Sequence, residues 1–408
     1  MTQSIQVQGW CPTAWQPMRA QDGWIVRVRP HCAAVSAAQW RVLAVSALAH
    51  AHPQIELTRL GNVQLRGVGT AQLPVVRARL IEAGLVPADA DADLAPAVHC
   101  TALYRRGDAT HALARQLSQA AIEHLSPAAL ARAGLQALPS KFGLLVDDPA
   151  RRMQSIGADL QLWVDQDAGY GLALGGTAQW HGFARAEEAV DAAVQLALWF
   201  ARERMTTAPA PTRLRGLLAQ RTPQVGAPLH AALMQRADPL LPGPHAAHGQ
   251  VLGAPLGRID AAAMQELARQ LPADAELRVT PWRSLLLADR AITPLDAAHW
   301  ITRPDDARLR VSACTGAPRC TQGLVAAQTL ALALAGDVPR HRHLHVSGCA
   351  KFCALPAEAS AVLCAGPDAG GKALLHISRG NAPRTPISSV AADRAPAEIT
   401  RLLHDPYL

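Results

Sequence analysis

The chain reads "VSACTGAPRCTQG" at residues 311–323 and "HLHVSGCAKFCALP" at residues 343–356. Cys314 and Cys320 have five residues between them, and Cys349 and Cys353 have three. Thiolates are soft ligands, and four of them in two close pairs can enclose one soft metal centre. Zinc knuckles use tighter C-x2-C or C-x4-C pairs. The looser spacings here fit a cube-shaped iron–sulfur cluster better, because its corners lie farther apart and four cysteines are its usual shell. The alternative is four cysteines that only pack. Against it, four of the eight cysteines fall in this one window.

At 408 residues the chain is too long for one core and is expected to form two or more domains. Half of its residues are hydrophobic, as in globular proteins. The longest apolar run, around Leu324–Ala335, is too short to span a bilayer, so no membrane partner is expected. The start of the chain lacks the basic region and apolar core of a secretory signal, and the cysteine count suggests no disulfide framework. Both point to a reducing cytoplasm.

The formal net charge of +7 is carried almost wholly by arginine. The arginines form no runs, so nucleic acid is not the expected partner; a small polycarboxylate, gripped by guanidinium forks, is. Lysine occurs only at Lys141, Lys351 and Lys372. In so arginine-rich a chain, a lysine placed between Cys349 and Cys353 marks a point where a compact ammonium is wanted.

"WIVRVRP" (24–30) alternates as a strand, with Ile25, Arg27 and Arg29 against Trp24, Val26 and Val28. Ser36 is placed to cap a helix carrying Trp40, Leu43 and Leu48. In the strand-like "QIELTRLGNVQLRGVG" (54–69), period two puts Asn62, Gln64 and Arg66 on one face, which suggests a lined binding surface. Helices are expected near 75–83, 109–123, 185–204, 323–335 and 396–404, and "TTAPAPTRLRG" (206–216) reads as a linker. "AELRVTPWRSLLLA" (275–288) reads as one strand bearing Trp282, Arg283 and Ser284. The order of parts repeats, so the chain is read as a duplication A–B–A′–B′ over residues 1–85, 95–208, 220–295 and 300–408.

Taken together, these segments resemble the nitrite/sulfite reductase superfamily and, within it, the precorrin-3B synthase family. The resemblance rests on "CPTAWQPMRAQDGWIVRVRP" (11–30), "LTRLGNVQLRGV" (57–68), "LPSKFGLLVD" (138–147), "LGAPLGRIDA" (252–261), "LRVTPWRSLLL" (277–287) and the cysteine segments. It implies an α+β fold: two ferredoxin-like halves about a pseudo-twofold axis, each followed by an α/β domain. It also implies a [4Fe–4S] cluster on Cys314, Cys320, Cys349 and Cys353, with a mononuclear non-haem iron beside it. In that family the substrate is the polycarboxylate tetrapyrrole precorrin-3A, hydroxylated with O₂ and closed to a γ-lactone in aerobic cobalamin biosynthesis. In the related reductases a siroheme sits against the cluster instead; a siroheme-dependent nitrite/sulfite reductase and a non-catalytic tetrapyrrole- or cluster-binding homologue are the alternative readings.

For such a substrate, Arg66 and Arg283 are expected to project from equivalent strands of the two halves, and Lys141 and Lys351 to act as catalytic groups from equivalent strand ends of the two α/β domains. Asn62 and Gln64 would add hydrogen bonds, Trp282 a flat surface, and Arg319 a charge beside the cluster. His341, His343 and His345 alternate before Cys349 and suit a metal or a basic strand equally. Cys11, Cys32, Cys100 and Cys364 read as isolated packing residues.

Three positions depart from the family pattern. Leu60 replaces the arginine of L-T-x-R-x-N, Phe352 stands where glycine is usual, and Gly143 stands where the reductases carry a lysine. A strand at 57–62 would send the displaced Arg59 to the opposite face. No G-x-G-x-x-G opens a strand–helix unit, so electrons are expected from NADH through a separate reductase, or from a ferredoxin-like protein.

Overall fold

The computed structural model describes residues 11–405 apart from 154–155, 168, 176, 178, 231–236, 294, 368–372 and 392–394. The first ten residues, Lys372 and the turn of the last expected hairpin therefore lie outside it. The first half contains β1 (Met18–Ala20), β2 (Gly23–Val28), α1 (Ala37–His50), β3 (Gln54–Leu57), β4 (Val63–Val68) and α2 (Leu73–Glu82). Then come α3 (Ala90–Leu94), β5 (Ala97–Cys100), α4 (Ala109–Leu125), α5 (Pro127–Arg132), β6 (Gly143–Asp147), β7 (Leu160–Asp165), β8 (Gly169–Leu174), β9 (Trp180–Phe183), α6 (Ala186–Met205), α7 (Leu214–Leu218) and β10 (Leu229–His230). The second half holds β11 (Gly243–His245), β12 (Gly249–Gly253), β13 (Arg258–Asp260), α8 (Ala261–Arg269), β14 (Leu277–Val279) and β15 (Ser284–Ala288). The last unit holds β16 (Val311–Ala313), α9 (Ala327–Leu334), β17 (Leu344–Ser347), β18 (Ala361–Pro367), β19 (Ala373–Arg379), β20 (Ser388–Ala391) and α10 (Ala395–Leu403).

Four sheets result, and they repeat in pairs. The halves form β1-β2-β4-β3-β13 and β11-β12-β15-β14, while the α/β units form β10-β9-β8-β7-β6-β5 and β16-β17-β18-β19-β20. In each α/β sheet three neighbouring strands run parallel and the rest antiparallel. The halves are interlocked. β13, from the second half, pairs antiparallel with β3, and Ser36 of the first half bridges Glu276 beside β14. Neither half closes its own sheet.

Local chemistry explains the main elements. Ser36 accepts from the Gln39 amide while the Gln39 side chain accepts from the Ser36 amide, a reciprocal cap that starts α1. Trp40, Leu43 and Ala47 then face α8 and the sheets of both halves in one shared core. The two α/β units have their own cores.

The segments 54–69 and 275–288 are hairpins rather than single strands. Thr58–Asn62 and Thr280–Ser284 form matching turns, in which the Thr58 and Thr280 amides donate to the Asn62 and Ser284 carbonyls at 2.9 Å each. Gly61 (φ 68) and Arg283 (φ 57) supply the left-handed residue in each. The helix expected from residue 323 starts at Ala327, because the Ala317 amide takes the Val325 carbonyl at 2.9 Å and the Leu324 amide that of Gly348 at 2.9 Å. The "linker" after α6 is structural: Leu214 and Leu217 are buried in the first α/β core, and β10 extends its sheet.

Trp40 is fully buried, and its indole N–H donates across the halves to the Leu277 carbonyl at 3.2 Å. Trp40→Ala is expected to cost about 3–5 kcal/mol in urea unfolding, because it opens a cavity where the two halves join.

Candidate functional site

A row of polar side chains crosses the first-half sheet on the face opposite its core. Arg27 on β2 donates to Gln64 Oε1 at 3.0 Å; Gln64 Nε2 donates to Glu56 Oε2 on β3 at 2.7 Å; Arg258 on β13 donates to Glu56 Oε1 at 3.3 Å. These residues are direct cross-strand partners, so their side chains meet on one face. Asn62, Gln64 and Arg66 alternate with the core residues Val63 and Leu65, as period two requires.

One end of the row opens into a cleft of about 430 Å³, within the range of small-molecule sites. Arg27, Arg29, Lys141 and Arg213 line it together with Asn62 and His99, and no carboxylate among the described residues does. Arg29 and Arg213 are neutralised by Asp93 and Asp159 at 3.7 and 3.2 Å. Among the described residues Arg27 has no carboxylate partner of its own: it meets Gln64 and the Cys11 thiol, its Nε is buried with no acceptor, and desolvation lowers its pKa. A buried cation with an unused donor suits an incoming carboxylate. Lys141 is exposed at the rim. Burial first, and then the charge of Arg29, push the His99 imidazole down to about 4, so it is neutral at physiological pH.

Two of the three departures from the family pattern fall at this cleft. Leu60 lines it, whereas Arg59 turns away to pair with Glu358 at 2.7 Å. The reason is the Thr58–Asn62 turn rather than strand alternation. Gly143 also lines the cleft, and a Cβ there would meet the His99 ring at 3.6 Å, so the imidazole stands beside the place of a longer side chain.

At the other end of the row stands the cysteine centre. Arg319 Nη1 donates to Gln54 Oε1 at 2.7 Å and the Thr321 amide to Gln21 Oε1 at 2.8 Å, docking the first cysteine loop on the first-half sheet. Gly316, Gly323 and Gly348 meet backbone to backbone: a Cβ on Gly348 would lie 3.1 Å from the Gly316 Cα and 3.6 Å from Cys314 Sγ. The Gly348 amide donates to Cys314 Sγ at 3.1 Å, the kind of bond that stabilises a thiolate ligand. The Cys353 thiol is pushed up by partial desolvation and then by Cys314, Cys349 and Cys320, so the other three lie within electrostatic range of Cys353. No group of three His, Cys, Asp or Glu among the described residues is arranged to hold a single ion. Sulfurs around a cube-shaped cluster stand farther apart than around one ion. The donor set and its glycine cradle fit such a cluster.

Cys364 is not isolated as expected: burial and then Cys349 and Cys314 push its thiol up to about 11. Phe352 has φ 53, the left-handed region that glycine tolerates best, which explains why glycine suits this place. Arg384 holds it there, with its guanidinium 5.2 Å from the ring and a bond to the Ala350 carbonyl at 3.3 Å.

Several expected site residues are placed otherwise. Arg66 lies on β4, but its Nε is tied to Asp22 at 2.7 Å, so its charge is already met. Arg283 precedes β15; matching the two turns sets it opposite Gly61, not Arg66, so the two arginines stand at opposite ends of equivalent strands. Arg283 packs its stem on Gly257, where a Cβ would come within 2.6 Å of it; burial first, then Arg59 and Arg258, lower its pKa to about 10. Lys141 precedes β6 while Lys351 follows the matching β17, so they too lie at opposite strand ends. Trp282 packs between Val251, Leu286 and the first α/β unit around Met153. His341 lies outside β17; only His343 and His345 converge, on Ser312 Oγ at 3.0 and 2.9 Å, leaving His345 Nε2 buried without a partner. Arg27 and Arg29 had a signal in the alternation of "WIVRVRP"; His99 and Arg213 had none, because tertiary packing alone brings them here.

The fold is the nitrite/sulfite reductase-like architecture. The family described as Nitrite/Sulfite reductase ferredoxin-like half domain matches residues 16–83, and the NirA protein of Mycobacterium tuberculosis shares the fold, with a TM-score of 0.64 at 15% identity over 93% of this chain and 80% of that one. The chain resembles, more particularly, precorrin-3B synthase: it is 26% identical over 393 residues to the Sinorhizobium sp. protein of that name, covering 89% of this chain and 82% of the other.

Glu56 is the only anion in the cross-strand row, and its side chain and that of Arg258 are 14% and 12% exposed. Glu56→Ala strands a mostly buried cation and is expected to destabilise the protein by about 3 kcal/mol in urea unfolding.

Proposed function

We propose that this protein is an iron–sulfur oxidoreductase of the precorrin-3B synthase type, which hydroxylates precorrin-3A with O₂ and closes the γ-lactone. The observation that supports this most is the carboxylate-free cationic cleft joined by one hydrogen-bonded row to the docked cysteine loops. The resemblance to precorrin-3B synthase gives the cleft a ligand whose rim of carboxylates matches its cations.

In this reading Cys314, Cys320, Cys349 and Cys353 hold a [4Fe–4S] cluster, whose chemistry is one-electron transfer. Arg27 and Lys141 bind substrate carboxylates by charge-assisted hydrogen bonds, with Arg29 and Arg213 completing the positive field. The neutral His99 accepts a hydrogen bond at one ring nitrogen and donates one at the other, so it orients a polar group at the cleft wall without adding charge. Leu60 and Phe142 keep water from the macrocycle face. Lys351 and Arg319 set the charge beside the cysteines. Electrons come from a separate donor, NADH through a reductase or a ferredoxin-like protein. No described helix is long and apolar enough to cross a membrane, in keeping with work in the cytoplasm.

Protein purified without oxygen is expected to show a broad iron–sulfur absorbance and no siroheme band, and Cys349→Ser should abolish it. With precorrin-3A, a reductant and ¹⁸O₂, the product should carry label. A siroheme band would favour a nitrite/sulfite reductase; cluster-bearing protein that leaves precorrin-3A unoxidised would favour a non-catalytic homologue. Arg27→Ala should raise the Kd for precorrin-3A by about ten-fold or more, the loss of one hydrogen bond to a charged group.

A further inference from the structure

Cys32 and Cys100 are far apart in sequence, yet the fold brings them together. Cys32 sits in the link between β2 and α1, and Cys100 ends β5 of the first α/β unit. Both side chains are buried, at 3% and 7% exposure, in one core where the turn at His31–Ala33 packs on β5, and each thiol perturbs the other. His31, exposed beside a second cleft, bonds to the Cys32 thiol. The neighbouring backbone is held in an unusual shape: Cys32 and Ala33 have φ 50 and 58, and the Tyr104 hydroxyl donates to the Cys32 carbonyl at 2.8 Å. Tyr104 is itself clamped between the Arg278 guanidinium, 3.7 Å away, and the His111 ring, 4.9 Å away. Left-handed backbone at two successive non-glycine residues persists only where the surroundings enforce it.

We propose that Cys32 and Cys100 form a peroxide-reactive dithiol whose disulfide staples the first half to the first α/β unit. The unlike states of the two sulfurs support this. Cys32 is pulled down to about 5 by the Cys100 and His31 bonds, whereas Cys100 is pushed well up by Cys32 and by burial. Cys32 follows the exposed His31 of the second cleft and is the nucleophile, whereas Cys100, at the end of β5 in the core, is the resolving thiol.

The Cys32 thiolate attacks hydrogen peroxide: an S–O bond forms, the O–O bond breaks, and the departing hydroxide leaves as water with a proton held at His31. The Cys100 thiol then attacks the Cys32 sulfur: the S–S bond forms, the S–O bond breaks, and a second water leaves. Two thiols lose two electrons and two protons, and one peroxide becomes two waters. Arg29 and His99, which line the cationic cleft, lie three residues before Cys32 and one before Cys100. The bond would therefore fix two walls of that cleft against each other.

The test is non-reducing peptide mapping of the purified, cluster-bearing protein after limited hydrogen peroxide. The expected product is a Cys32–Cys100 linked peptide, formed about ten-fold or more faster than oxidation of Cys11, whose thiol meets Arg27 rather than a second cysteine. Cys100→Ser should stop at a Cys32 sulfenic acid that dimedone traps, and His31→Ala should slow the linkage. No linked peptide, or Cys32 oxidised no faster than Cys11, would overturn the proposal. The wild-type map reads out even if a variant fails to fold, and activity is not needed for any arm.

Discussion

The structure depends on the hydrogen-bonded row Arg27–Gln64–Glu56–Arg258. Its members come from four strands, and the last strand belongs to the other half of the duplication. Three of the four carry charge and Gln64 relays between them, so each can stay buried only while its neighbour is in place. The row fixes the orientation of Arg27 at the cleft, and at its far side it fixes the ground on which Arg319 and the first cysteine loop dock. Binding groups and cysteine centre are thus held by one sheet face.

The duplication organises this less symmetrically than the repeated order of parts suggests. The turns Thr58–Asn62 and Thr280–Ser284 match hydrogen bond for hydrogen bond, but their residues do different work. In the first, glycine takes the left-handed position and Leu60 lines the cleft; in the second, arginine takes it and Trp282 becomes packing. One copy faces the cleft, and the other has a charged residue held in strain against Gly257. The two α/β units diverge likewise. Thr101 follows β5 where Cys314 follows β16, with equivalent amide bonds to Val146 and Val346, so only one unit carries the cysteines.

Much of this was legible in the sequence, for physical reasons. The period-two face of Asn62, Gln64 and Arg66 and the Ser36 cap are local signals, and the structure contains the elements they describe. The turn at Thr58–Asn62 was missed because its apolar flanks read on as one strand, and that error carried the face assigned to Arg59. Arg66 looked like a free cation because its partner Asp22 is remote in sequence. Cys32 and Cys100 looked isolated for the same reason. Pairings made by tertiary contact leave no periodic trace.

The exchange of β13 for the bridge at Ser36 has a consequence for the origin and handling of this chain. Each half lends its neighbour an edge segment, and both insert side chains into one core. A half expressed by itself would present an open strand edge and an uncovered apolar face, which invite pairing with a second copy. The fused chain thus does within one molecule what a strand-exchanged twofold dimer of single halves does by association, and fusion freed the two copies to diverge.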